Sequence, residues 1–450
     1  MGDNILKVGM ISLGCPKNQV DAELMLAKVK NKGFKIVQEP GLSDVVIINT
    51  CGFIESAKAE AIEEILEMAK LKEEKRIKKI IVTGCLAERY RDQLAKEFPE
   101  IDAVLGIAKN NDIVEAINSV ILDQKVVSFD DVNDHDMEGE RVLTTLPYFA
   151  YLRIADGCDV RCSFCAIPDI RGHFRSKSID SLIKEAELLA ANGVKEIILV
   201  AQDTTNYGMD LYGRLMLPEL LKKLCEIDGL KWIRILYCYP ERMTDELIDV
   251  IANREKIVKY IDIPIQHSCD NILKKMNRRE TNADLRNLFK KLKDKIPNVV
   301  LRTTVITGFP DESEDDFNSL AEFLDEVRFD RLGAFAYSEE EGTPAAKMKN
   351  QIEKQIRLDR AEIITEQQAI RMAQDSESKI GTEIEVLVEG FDKYAECYFG
   401  RSYADAPDID GKVFITFDKE NKPEIGTFAR IKVEDVMDYD LIGKYICTNE

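Results

Sequence analysis

Residues 150–168 read AYLRIADGCDVRCSFCAIP. The first seven residues are mostly apolar and predict a β-strand, and cysteines follow at positions 158, 162 and 165. Three thiols are more than a disulfide uses and fewer than the four ligands of a typical closed zinc site. The stretch therefore predicts a metal-binding loop at the carboxyl end of a strand, with one coordination position left open.

This strand opens a series of alternating strand-like and helix-like segments between about 146 and 345. Five further strand candidates are EIILVAQ, WIRILYCY, YIDIPI, VVLRTTVITG and RLGAFAYS. About six β/α units favour a barrel or partial barrel whose chemistry lies at the C-terminal strand ends. A long amphipathic stretch at 351–374 then predicts a connecting helix. From 380 onward, short β-rich pieces indicate a small β-barrel.

The first part of the chain shows the same β-α alternation, and three of its predicted strands end directly before a cysteine. The strand ends read SLGC, INTC and VTGC, and the cysteines are Cys15, Cys51 and Cys85. Ligands collect at the carboxyl ends of the strands in an open parallel sheet, so we expect these thiols to lie together at one edge. The alternative is three buried thiols that act as small hydrophobic groups.

The predicted fold class is multidomain α/β. An N-terminal open parallel α/β sheet is expected over 1–128 and a central (β/α)6-like partial barrel over 146–378, followed by a small C-terminal β-barrel over 379–450. Residues 129–145 read as a linker because they are acidic and lack a periodic apolar pattern. A lone histidine in such a loop, His135, is expected to be exposed to solvent.

Composition narrows the class of protein. The 450 residues carry a net charge of −20, which argues against broad binding to nucleic acid or anionic membranes. The sequence has no signal-peptide pattern and no apolar run long enough to span a membrane, so the chain is expected to be cytoplasmic. In that compartment, cysteines indicate metal sites or free thiols rather than disulfides. Five cysteines have no ligand-like spacing and are interpreted as ordinary thiols: Cys225, Cys238, Cys269, Cys397 and Cys447.

The C-x3-C-x2-C spacing, with Phe164 before the last cysteine, resembles the radical S-adenosylmethionine (SAM) superfamily. The resemblance implies that Cys158, Cys162 and Cys165 hold a [4Fe–4S] cluster and that Phe164 shields it from water. It also implies that the open iron binds SAM, which is cleaved to a 5′-deoxyadenosyl radical. The competing interpretation is a zinc loop, for which His173 is the nearest fourth ligand.

With two three-cysteine sets, the chain is similar to the methylthiotransferase family. The matching stretches include SLGCPKNQVDAE, VTGCLAERY, PIQHSCDNILKKMNRR and RTTVITGFPDESEDDF, and the last segment resembles the family's TRAM module. The resemblance implies a second [4Fe–4S] cluster, on Cys15, Cys51 and Cys85, that holds sulfur. It further implies two SAM molecules, one giving the methyl group and one the radical, together with an electron donor and a sulfur donor.

Two branches of this family differ in substrate. Residues 381–450 contain eight Lys or Arg and sixteen Asp or Glu, which suits a basic protein better than RNA phosphates. The stretches GRSYADAPDIDGKVFI and FDRLGAFAYSEEEGTPAA also resemble the ribosomal-protein branch. The predicted reaction is methylthiolation of an aspartate β-carbon in protein S12 of the small ribosomal subunit, free or on the ribosome, by a monomer. The alternatives are a transfer-RNA adenosine methylthiotransferase (MiaB-like) and a non-catalytic iron–sulfur redox protein.

Overall fold

The computed structural model describes residues 5–448. Along this part of the chain, two six-stranded parallel sheets precede a closed five-stranded barrel. This order confirms the predicted fold class. The predicted domain boundaries at 128, 145 and 378 remain a proposal.

The first sheet is parallel throughout and is covered by helices on both faces. Its strands are β1 (Lys7–Ser12), β2 (Lys35–Val37), β3 (Val45–Thr50), β4 (Lys79–Gly84), β5 (Ala103–Leu105) and β6 (Val126–Ser128). Its helices are α1 (Pro16–Asn31), α2 (Glu55–Glu73), α3 (Cys85–Glu97, interrupted at Arg91) and α4 (Ile113–Ile121). The spatial order is β2-β1-β3-β4-β5-β6. All six residues of β3 are buried, as expected for a strand with both faces covered.

The second sheet is also parallel and stays open, which confirms the predicted partial barrel. The strands in this region are β7 (Phe149–Arg153), β8 (Ala155–Asp156), β9 (Arg175–Ser176), β10 (Glu196–Val200), β11 (Trp232–Ile235), β12 (Ile257–Asp262), β13 (Val300–Thr307) and β14 (Arg331–Ala336). The spatial order is β14-β13-β12-β11-β10-β7, and β8 and β9 form a separate antiparallel pair. The helices here are α5 (Ile167–Arg171), α6 (Ile179–Ala191), α7 (Met209–Tyr212), α8 (Leu217–Leu224), α9 (Asp245–Asn253), α10 (Asp270–Lys275), α11 (Asn282–Lys295) and α12 (Glu314–Val327).

The predicted connector is a single helix, α13 (Lys354–Glu377), and leads into the barrel. The barrel strands are β15 (Glu383–Asp392), β16 (Cys397–Ser402), β17 (Val413–Thr416), β18 (Phe428–Met437) and β19 (Asp440–Thr448). Single 3-10 turns lie at Pro40–Leu42, Ile107–Asp112, Val132–Asp134, Thr204–Asn206, Pro240–Arg242 and Ala345–Lys347. None of the helices within residues 5–448 has both the length and the apolar character that a membrane crossing requires.

The inner face of the central sheet is covered by helix α1 and by the C-terminal barrel. Side chains on alternate strand positions, such as Tyr151 and Trp232, pack against Leu24 of α1 and Phe428 of the barrel. Buried ion pairs reinforce the barrel contact, because Glu196 lies 2.7 Å from both Arg234 and Arg401. The three parts of the chain therefore share one packed interior.

The segment predicted as a linker is not a free loop. His135 is buried, with Nε2 3.2 Å from Oδ1 of Asp21 on α1, so the prediction of a solvent-exposed histidine was wrong. Arg141 also lies inside, donating to Glu23 at 2.6 Å and to the carbonyl oxygen of Tyr151 at 2.7 Å. The physical reason is that α1 buries carboxylates at its contact with the central sheet, and such groups require polar partners.

Candidate active site

Cys15, Cys51 and Cys85 follow three strands that are neighbours in the first sheet, namely β1, β3 and β4. Cys15 and Cys85 lie where helices α1 and α3 begin, and Cys51 follows β3 directly. Asn18 joins the strand ends by donating to the carbonyl oxygens of Leu13 at 2.7 Å and Thr50 at 3.2 Å. The structure thus brings the three thiols to one sheet edge, as the strand order predicts.

The backbone between these strand ends is tightly packed. Gly14 has a φ of +88°, and a Cβ added there would lie 2.7 Å from Cβ and 2.9 Å from Sγ of Cys51. Real Cβ atoms do not approach sulfur so closely, since carbon atoms make contact at about 3.5–4.0 Å. Glycine avoids both this clash and the strain of a left-handed φ, so Gly14 allows the backbone before Cys15 to lie directly against Cys51.

The second set, Cys158, Cys162 and Cys165, occupies the loop between β8 and α5. The loop is held from two directions through Ser163, whose backbone N donates to Met276 at 3.0 Å and whose carbonyl oxygen accepts from Ala345 at 2.8 Å. At its start, the backbone N of Cys158 donates to Gly172 at 3.1 Å. These bonds hold the loop in place.

Helix α5 connects the two thiol sets. It begins two residues after Cys165, and Ala166 and Ile170 share one buried apolar cluster with Cys85. At its end, Nη2 of Arg171 lies 3.5 Å from Sγ of Cys85. One short helix therefore contacts the first set and continues the loop that carries the second.

Arg171 is fully buried in a network of charges at this junction. It donates to Asp21 at 2.7 Å, to Asp156 at 3.1 Å and to Asn18 at 3.0 Å. Arg153 forms a further ion pair with Asp21. Since these residues come from α1, β7, β8 and α5, the network locks the first sheet onto the carboxyl ends of the central strands.

Burial affects the thiols more than any other influence. It raises the pKa of Cys85 to about 12 and that of Cys158 to about 11, and it also raises the pKa of Cys51, Cys162 and Cys165. For Cys15, the burial effect is outweighed by the positive charges of Lys17 and Arg171, and the pKa is lowered. Within each set, the thiols raise one another's pKa, which places them close enough to interact electrostatically.

Phe164 and His173 are the two other residues that the sequence singled out around the second thiol set. Phe164 is half-buried against Ile272 and Phe309, so its predicted shielding role stays a prediction. His173 is exposed and pairs with Asp159 at 2.9 Å. Within residues 5–448, no group of three or more His, Cys, Asp or Glu side chains is arranged as for a single metal ion.

Three family models match successive parts of the chain. Residues 7–106 match the uncharacterized protein family UPF0004, residues 152–324 match the radical SAM superfamily, and residues 380–446 match the TRAM domain. The radical SAM match implies a [4Fe–4S] cluster and SAM as cofactors.

Curated relatives align over nearly the whole chain. The ribosomal protein uS12 methylthiotransferase RimO of Caldanaerobacter subterraneus subsp. tengcongensis is 51% identical over 441 residues, which cover 97% of this chain and 99% of the relative. RimO of Thermoanaerobacter sp. (strain X514) is 49% identical over 439 residues, with the same coverage. The chain belongs to the uS12 methylthiotransferase family.

A solved structure shares the fold of this family member. The radical SAM methyltransferase TsrM from Kitasatospora setae, with cobalamin and a [4Fe–4S] cluster bound, aligns with a TM-score of 0.54. The alignment covers 76% of this chain and 77% of that chain at 14% identity. At this identity, the likeness concerns the fold alone.

Sequence reasoning missed the polar residues around the thiols of this methylthiotransferase. Lys17, Asn18 and Asp21 lie within the quoted stretch SLGCPKNQVDAE, and Arg171 lies within IPDIRG, yet none received a role. Helical spacing was the available signal for the first three, because residues three and four apart share one face of a helix. Nothing in the sequence identified the carboxylates that Arg171 contacts.

A further contact across the junction was also missed. Glu340 is buried and pairs with Arg89 at 2.8 Å and Lys58 at 3.2 Å, which lie on α3 and α2. The stretch YSEEEGTPA after β14 therefore packs against two helices that cover the first sheet.

Proposed function

We propose that the protein transfers a methylthio group to the β-carbon of an aspartate in ribosomal protein uS12. The names of its relatives support the substrate, and the likeness of its motifs to the aspartate-modifying branch supports the site of modification. The negative charge of residues 381–450 supports a basic protein partner.

The proposed cofactors are two [4Fe–4S] clusters, one held by Cys15, Cys51 and Cys85 and the other by Cys158, Cys162 and Cys165. The donor set fits this assignment, because each site offers three thiols and thiolates are the usual ligands of iron–sulfur clusters. When bound, the second cluster with SAM would supply the radical for C–H cleavage, and the first would carry the sulfur to be inserted.

The observation that carries the proposal is the placement of the two thiol sets on either side of α5. Ala166, just before this helix, and Ile170 within it share one buried apolar cluster with Cys85, and Cys165 lies next to Ala166 in the chain. A reaction that combines a radical with a sulfur group requires the two to act on one substrate atom, so proximity is essential. A carrier with two independent redox centres has no need of this arrangement.

The chain's own residues would orient the cofactors and exclude water. Ser163 ties the second thiol loop to the segments around Met276 and Ala345. Arg171 adds positive charge beside Cys85 and balances the carboxylates of Asp21 and Asp156. A buried, prearranged charge network of this kind needs no reorganisation during the reaction.

The remaining parts of the proposal concern organisation and partners. An electron donor and a sulfur donor are required by the chemistry, and the protein is proposed to act as a cytoplasmic monomer. The N-terminal unit is proposed to cover 1–128 and the radical SAM unit 146–378, joined by 129–145. The TRAM-like barrel is proposed to cover 379–450.

A substrate competition tests the function. Anaerobically reconstituted protein is incubated with SAM, a reductant, sulfide, purified uS12 and bulk transfer RNA, and both substrates are analysed by mass spectrometry. We expect a methylthio group on one aspartate of uS12 and unmodified transfer RNA. A methylthio group on a transfer-RNA adenosine, with uS12 unchanged, would overturn the proposal.

A further inference from the structure

Lys17 is a buried cation with few partners. It lies in the first turn of α1 and is 7% exposed. Its Nζ is 3.5 Å from the carbonyl oxygen of Ala201 and 3.5 Å from the centroid of the Tyr237 ring. An ammonium group has three donors, so within residues 5–448 these contacts leave most of its hydrogen-bonding capacity unused.

The ammonium group of Lys17 is directed at the carboxyl ends of the central strands. Ala201 directly follows β10, and Tyr237 comes two residues after β11. Gln202, the neighbour of Ala201, donates to Asp156 at 2.8 Å, and its buried Oε1 has no hydrogen-bond partner within the described residues. Two polar groups with unused hydrogen-bonding capacity, Nζ of Lys17 and Oε1 of Gln202, therefore lie at the strand ends where β/α barrels bind their ligands.

Tyr237 is held in a backbone conformation that aromatic residues rarely adopt. Its φ is +62°, in the left-handed region. Its backbone N donates to Asp262 at 2.9 Å, and its carbonyl oxygen accepts from Thr204 at 3.0 Å. Strained residues fixed in this way cluster at binding and catalytic sites. The ring of this residue is the one that lies against the ammonium group of Lys17.

We propose that Lys17, supported by the Tyr237 ring, binds the side-chain carboxylate of the target aspartate. This inference rests on the proposed function and deepens it, because it names the group that positions the β-carbon next to that carboxylate. An ammonium–carboxylate contact is a charge-assisted hydrogen bond, which fixes position as well as adding affinity.

A comparison of binding affinities tests this assignment. The affinity is measured for the reconstituted wild-type protein and for its Lys17→Met and Lys17→Gln variants. Each is titrated with uS12 and with uS12 whose target aspartate is replaced by asparagine. Loss of one charged hydrogen bond corresponds to about 10- to 100-fold weaker binding. We expect wild type to prefer the aspartate form by about this factor and both neutral variants to lose the preference.

The controls separate a binding role from a structural one. Lys17→Arg keeps the positive charge and is expected to keep the preference for aspartate. Lys109→Met removes a lysine of the turn Ile107–Asp112 that pairs with Asp112 and Asp130, and this variant should bind both forms of uS12 as wild type does. Overall damage to the fold would weaken both forms of uS12 equally and leave their ratio unchanged.

The outcomes for this inference and for the proposed function are distinct. If a neutral Lys17 variant retains the wild-type preference for aspartate, or if wild type has no preference, the assignment of Lys17 is wrong. Methylthiolation of uS12 by wild type would still support the proposed function in either case. Conversely, modification of transfer RNA alone would overturn the proposed function whatever the binding ratio.

Discussion

Replacing Gly14 by Ala should remove the first cluster while leaving the second intact. The added Cβ would lie 2.9 Å from Sγ of Cys51, whereas ordinary contacts begin at about 3.5 Å, so the thiol must move by more than about 0.5 Å. Functional constellations tolerate displacements of only about 0.5 Å. A non-glycine residue at the φ of +88° also costs about 1–2 kcal/mol.

Gly33→Ala is the matched control. Gly33 has nearly the same backbone conformation, with a φ of +93°, but among the described residues no atom lies within 4 Å of the added Cβ. It therefore carries the same backbone cost without the clash at Cys51. A difference between the two variants isolates the steric effect on the thiol.

The assay is the iron content per chain after anaerobic reconstitution, with 5′-deoxyadenosine release as a second readout. Wild type and Gly33→Ala should approach about eight irons, and Gly14→Ala should hold about four. Gly14→Ala should still cleave SAM but should fail to modify uS12. Equal iron content and equal methylthio transfer in both glycine variants would refute the reasoning about Cys51.

Four further variants probe the two thiol sets, the junction and the barrel contact. Cys162→Ala should abolish SAM cleavage. Cys51→Ala should retain SAM cleavage but stop sulfur insertion. Methylthio transfer by Cys51→Ala would exclude the first set as a cluster site. Arg171→Met removes the closer cation of buried Asp156 and leaves Arg153 as the remaining arginine beside Asp21. Breaking a buried ion pair typically costs about 3–5 kcal/mol, so the thermal midpoint of the apoprotein should fall; an unchanged midpoint would contradict the network. Glu196→Gln removes the carboxylate that pairs with both Arg234 and Arg401, and weakening of the barrel contact should speed proteolysis near residue 379. A cleavage rate equal to that of wild type would show that these ion pairs are dispensable.

The fold and the thiol placement could be predicted because both depend on local patterns. Apolar runs set the strands, and parallel order puts every strand end at one edge, so Cys15, Cys51 and Cys85 had to emerge together. The second set is confined to eight residues of sequence, so its members could not be far apart.

The residues between the sets depend on contacts that no local pattern contains. Arg171 acquires its role from Asp21, which is 150 residues away in the chain, and His135 becomes buried through the same carboxylate. Lys17 reaches Ala201 across 184 residues. Such pairs require the docking of two independent sheets, and the sequence patterns described each sheet separately.

The mass of uS12 from a strain that lacks this protein tests the central claim most directly. We predict that uS12 from this strain lacks a methylthio group on one aspartate. The wild-type gene should restore the group, and the gene carrying Cys51→Ala should not. If uS12 has the same mass in all three strains, while a transfer-RNA adenosine loses its methylthio group, the assignment of the substrate is wrong.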